Sequence, residues 1–219
     1  MADVWPWELL TPRAERVRLR GVAMTGGPSV SGQVRSTRLD GGGLWVIEQD
    51  FLFHSRLQIK AARAIEAGLD GGSGEIVVRV FETPFAPVGS EAATVTFSDG
   101  STFSDGTEFA SVPVGATLTA AAALRTTTLS LTTIFGALEG GERFSIDHVT
   151  KGRRLYTVTR VIGNTITIRP PLREACAVGT GLDFTRPGCL CRLANPDDFL
   201  GALDLNRHIA ATAVWIESF

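Results

Sequence analysis

Ser145, Asp147 and His148 bring a nucleophile, a carboxylate and an imidazole close together in sequence, the set that performs acyl transfer. Hydrolase triads converge from separate elements, often around a strained G-x-S-x-G turn, and the chain has no such turn. The segment therefore reads as a solvent loop between two strands. Asp99, Asp105, Glu139 and Glu142 offer the carboxylate pairs of glycoside cleavage, a mechanism defined by a separation that spacing alone does not give. Asp99 and Asp105 also sit in FSDGSTFSDGTEF, where Phe97, Phe103 and Phe109 recur every six residues. That spacing does not match a calcium-binding EF-hand loop, and two Ser-Asp-Gly turns pinned by Phe are expected instead. Cys189 and Cys191 on one strand would lie about 6.6 Å apart, at the edge of disulfide range. With His54, His148 and His208 scattered, no four ligands converge for zinc. Buried free thiols are expected at Cys176, Cys189 and Cys191, in keeping with a cytoplasmic origin. No P-loop, dinucleotide fingerprint or H-E-x-x-H is present. The expectation is no enzyme, no metal and no cofactor.

The elements that must position these residues are organised around Leu44 to Phe81, which reads strand, helix, strand. Ser55 with Gln58 three residues later forms a capping box, so the helix is expected to start at about Arg56. Leu57, Ala61, Ala64, Ile65 and Gly68 then share one face, and Arg56, Lys60, Arg63, Glu66 and Asp70 the other. On this wheel Ile59 points away from the apolar stripe, toward a covering segment or another subunit. Asp70 to Gly74 ends the helix.

Before it, Trp5, Pro6 and Trp7 read as an extended arm with aromatic anchors, because Pro6 and Pro12 oppose a helix. The arm either covers its own core or reaches a neighbour. Glu15 to Met24 alternates, with Val17 and Leu19 on one face and Arg16, Arg18 and Arg20 on the other. GGPSVSG is a turn-rich loop. After it come a strand at Ala92 to Phe97 and, from Val114, a Thr-rich series of short strands that suggests a small barrel or sandwich. Gly163-Asn164 is a type II′ hairpin turn pairing Val161 with Ile166, Arg160 with Thr167, Thr159 with Ile168 and Val158 with Arg169. Cys189 to Ala194, Phe199 to Leu205 and His208 to Ile216 read as closing strands. Trp215 resembles the anchors at the start, so the two ends are expected to meet in one domain. The fold class is thus mainly β: a β-sandwich with one α-helix, plus an inserted small β-barrel. A net charge of −2 over 219 residues argues against a general nucleic-acid coat, and no apolar run is long enough to span a bilayer.

WPWELLTP, the strand-helix-strand, DGSTFSDG, and ERFSID followed by RRLYTVTRVIGNTITIRPPLREACAVGTGLDF together resemble the distal tail or tail-tip (baseplate) proteins of long-tailed, siphovirus-type bacteriophages and prophages. That resemblance implies a structural virion protein made in the host cytoplasm. It would form a ring, usually a hexamer of self, between the tail tube protein and the baseplate hub protein, with the tape measure protein as a further neighbour and DNA passing through. It further implies a belt β-sandwich from residues 1–113 and 187–219, and an OB-like or galectin-like barrel from 114–186. The ring contact is assigned to Trp5, Trp7, Arg16, Arg18, Arg56, Ile59 and Arg63. No membrane and no sequence-specific nucleic acid are expected as partners. The alternative is host-glycan binding by the inserted barrel, whose only Tyr is Tyr156 and which has no Trp; a cell-wall-degrading enzyme is the weakest reading.

Overall fold

The computed structural model describes residues 3–21, 23–28, 30–38, 41–81, 94–95, 109–110, 115–133, 138–203 and 208–219. It is mainly β, with one α-helix. Strands β1 (Asp3–Val4), β2 (Ala14–Arg20), β5 (Leu44–Phe53), β6 (Glu75–Arg79), β15 (Gly188–Leu193) and β16 (Ile209–Glu217) form a six-stranded sheet ordered β1-β6-β15-β16-β5-β2. Strand β1 runs parallel to β6, and the other neighbours are antiparallel. The period-2 pattern puts Trp45, Ile47, Phe51 and Phe53 of β5 beside Ile209, Ala211, Ala213 and Trp215 of β16 in one buried core. The helix, the N-terminal arm and Phe199 pack on that face. Cys189 and Cys191 lie in the same core as free thiols, and Cys176 is free in the second.

Helix α1 (Arg56–Gly68) starts at the expected residue: Gln58 N–H donates to Ser55 Oγ and Ser55 N–H to Gln58 Oε1. Its inward face differs from the wheel. Ala62 is buried and Ile59 and Ile65 pack on the core, whereas Leu57 is 64% exposed. Gln58 Nε2 donates to Leu9 O of the arm at 3.1 Å, and Leu9 faces Ala61, Ala64 and Gly68 across a groove, so that stripe is only partly covered. Two further expectations change. The strand read through Met24 ends at Arg20, where Gly21 takes a positive φ of 73°. Phe199 to Leu205 is no strand over its described part: Phe199 drops into the core and Leu200 makes a single bridge to Ala211.

Strands β9 (Gly115–Leu118), β10 (Thr128–Thr133), β11 (Arg143–His148), β12 (Gly152–Ile162), β13 (Thr165–Arg169) and β14 (Gly181–Asp183) close a six-stranded barrel in the order β10-β13-β12-β11-β14-β9. Its own core holds Leu129, Leu131, Phe144, Ile146, Tyr156, Val158, Ile166, Ile168 and Phe184. The barrel is inserted between β6 and β15, which are hydrogen-bonded neighbours, so chain leaves and re-enters the sheet at one place. Apart from Leu155 of β12, each core forms without side chains from the other part's strands. In the β12–β13 hairpin, Val161 pairs with Ile166 and Arg160 with Thr167, and Gly163 has φ 55°. Beyond them a bulge at Thr159 shifts the register, so Val158 faces Ile168 and Thr157 faces Arg169. The segment read as a loop at Ser145 to His148 is strand β11. Of the FSDG repeat, strand β8 (Phe109–Ala110) pairs with strand β7 (Thr94–Val95). Phe97, Asp99, Phe103 and Asp105 lie outside the described residues.

Sheet and barrel meet at a buried ionic joint. Glu217 of β16 accepts from Arg173 Nε (3.2 Å to Oε1) and Nη2 (2.9 Å to Oε2), and lies 3.6 Å from Arg154 Nη1. Arg154 and Glu217 are both buried. Arg154 donates to Ser218 O, Arg173 to Gly41 O and Gly43 O, and Trp45 Nε1 to Leu155 O at 2.7 Å. Leu155, on the outer face of β12, is a member of the sheet's core rather than the barrel's. The Phe219 ring lies 4.8 Å from the Arg154 guanidinium carbon and 4.9 Å from that of Arg173.

Candidate interaction surfaces

The expected ring residues do not form one patch. Trp5 is 1% exposed, its ring 5.2 Å from Phe51 and 5.4 Å from Trp215, and its Nε1 donates to Leu10 O at 2.9 Å. It anchors the arm to the chain's own core and so cannot bury against a neighbour; Trp215 meets it there, joining the two chain ends. Trp7 is half-buried and stacks on Phe81. Arg18 pairs with Glu48 of the adjacent strand, so its charge is met within the chain. Ile59 is half-buried under the helix. Arg16, Arg56 and Arg63 are exposed. Arg16 stands on β2, which among the described residues is an edge of the sheet, and an unpaired edge is a ready template for another chain.

An exposed hairpin flanks the turn-rich GGPSVSG segment. Strands β3 (Ala23–Pro28) and β4 (Val34–Arg38) form a two-stranded sheet of their own, immediately after β2. Every side chain in 23–28 and 30–37 is exposed, including Met24, Val30 and Val34. A two-stranded hairpin with no buried face is marginal in water, and apolar residues at its tip gain most from a surface brought by another molecule. The signal available was the alternating VRSTR after GGPSVSG, with Met24 across from it.

A second surface is the groove between α1 and the arm, about 480 Å³, lined by Val4, Pro6, Leu9, Ala61, Ala64 and Ile65 with Asp3 and Glu75 at its rim. The Ser145, Asp147 and His148 set does not converge. Asp147 faces outward to Arg153 at 2.7 Å, while His148 turns into the barrel. There His148 Nε2 lies 2.7 Å from Tyr156 Oη, which accepts from Arg173 N–H, and His148 Nδ1 lies 3.6 Å from Cys176 Sγ. Burial raises the Tyr156 and Cys176 pKa values and pushes His148 down to about 4. All three are neutral at pH 7, a relay from hydroxyl to imidazole to thiol that fills the end of the barrel. Tyr156 is buried, so no sugar stacks on it from outside. Among the described residues no group of three or more His, Cys, Asp or Glu could hold a metal ion.

This arrangement sets a pH dependence. An unfolded His148 protonates near 6.5 and the folded one near 4, so between these values the unfolded state binds the extra proton. Stability contributed by the neutral imidazole is therefore complete above about pH 6.5 and is lost as pH falls toward 4, by about 2–3 kcal/mol. Urea unfolding from pH 7 to 5 checks it: His148→Gln should flatten the slope, and an unchanged slope would contradict the assignment.

No protein-family model matches this sequence, and no curated protein matches it.

Proposed function

We propose that this chain is a structural subunit of a phage tail tip, a distal-tail-type protein forming a ring of six copies between the tail tube and the baseplate hub. On this reading the six-stranded sheet with α1 belongs to a belt sandwich. The inserted barrel is then an OB-like or galectin-like outer module, and DNA passes through the ring. A ring needs two different complementary faces on each subunit, because rotational symmetry beyond a dimer is built from heterologous contacts. The observation that carries the reading is the exposed hairpin β3–β4, set directly after the edge strand β2. A protruding element beside an open edge suits a contact that reaches from one subunit to the next. The partners are self, the tail tube protein and the hub protein, with the tape measure protein as a further neighbour.

Replacing residues 23–38 by a two-residue turn tests this. With no buried side chain in the hairpin's described part, the variant should keep the thermal midpoint of the parent and lose its self-assembly, alone or with co-expressed tube and hub proteins. Assembly equal to that of the parent would refute the reading.

A further inference from the structure

We propose that the cleft at the seam between sheet and barrel is a binding site for a small organic anion with an apolar body. The cleft is about 550 Å³, within the range of small-molecule sites. Its walls are apolar: Leu44 and Leu124 are partly exposed, Leu172 is buried beneath them, and the Phe219 ring stands 55% exposed at one side. Among the described residues its charged side chains have one sign: Arg125, Lys151 and Arg173 line it.

Of these three cations only Arg173 is neutralised, by Glu217 beneath it. Arg125 and Lys151 have no ion pair among the described residues. Lys151 Nζ lies 5.9 Å from the centre of the Phe219 ring, and the nearby Glu174 carboxylate is occupied by the Thr150 and Lys151 N–H groups and the Thr150 hydroxyl. Around that ring stand Arg154, Arg173 and Lys151, of which Arg154 and Arg173 share the carboxylate of Glu217. An anion entering the cleft meets Arg125 and Lys151, neither in an ion pair among the described residues, beside an apolar wall, where the interaction is stronger than in open water.

Arg125 supplies the independent sign. It is one of two non-glycine residues with positive φ among those described, at 65°, and is pinned by Arg125 N–H to Leu172 O (2.9 Å) and Thr126 N–H to Ala123 O (3.1 Å). A bulky residue in the left-handed region is strained, and glycine would sit there without cost. Stability alone favours glycine at this position. The arginine side chain at the rim gives the site a reason for the strain. Pro171, which also lines the cleft, is packed closely by Gly42 (φ 68°), where an added Cβ would lie 2.2 Å from the Pro171 Cδ.

Calorimetric titration of the full chain with octyl phosphate and with octanoate, each below its micelle concentration, tests the proposal. Inorganic phosphate and the uncharged octyl glucoside serve as comparators. Saturable one-to-one binding of at least one octyl anion is expected, with both comparators about tenfold weaker or more. Arg125→Gly should keep or raise the thermal midpoint while weakening the anion about tenfold, and Lys151→Gln should weaken it similarly. No binding of either anion, equal binding of octyl glucoside or of inorganic phosphate, or undiminished binding by both variants would each overturn it.

Discussion

Glu217→Ala is expected to destabilise the protein by about 3–5 kcal/mol, because it removes the one carboxylate that faces both Arg154 and Arg173 in the joint. Two guanidinium groups would be left buried, one of them with its Nε already lacking a partner. Glu217 Oε2 also accepts from Trp45 N–H at 3.2 Å, so the truncation frees a buried backbone donor. The damage is local to the seam. Urea unfolding followed by Trp fluorescence, which reports the sheet, and by far-UV circular dichroism, which reports both parts, should change from coincident to separate transitions. A loss below about 1 kcal/mol would mean that the joint is hydrated and contributes little.

Trp5→Ala should cost about 3–5 kcal/mol, the range for deleting a large aromatic side chain from a packed core. Trp5 touches Phe51, Phe199 and Trp215, and its indole N–H closes the arm onto Leu10. The cavity would open where the chain's two ends meet, and neighbouring strands β5 and β16 are too long and too well paired to collapse into it. The loss should appear in the monomer and be independent of protein concentration. A concentration-dependent loss would instead place Trp5 at a contact between copies. Deleting the whole arm is a poor test of assembly, because it uncovers this core.

The parts of the fold that were legible in sequence are those governed by local rules. The capping box at Ser55 and Gln58 located the helix start, and Gly163-Asn164 located the hairpin, because both depend on residues within a few positions. The helix face is not legible locally, because Ala62, Ile59 and Ile65 are buried by contacts with strands and an arm far away in sequence. The bulge at Thr159 had no local signature. At the surfaces, composition pointed to Trp5 and Arg18, but an aromatic anchor and a basic strand face serve a subunit's own packing as readily as a neighbour's. Arg154, Glu217 and Arg173 were invisible in sequence, where charged residues read as solvated until burial and mutual distances are known.

In the proposed ring, one copy completes the next. Native mass spectrometry of the chain, alone and co-expressed with tail tube and hub proteins, tests it most directly, with negative-stain images of the same samples. A species near 140 kDa, six times 23.4 kDa, that images as a ring with a central hole is the expected result. A chain that stays at the monomer mass in both samples would contradict it.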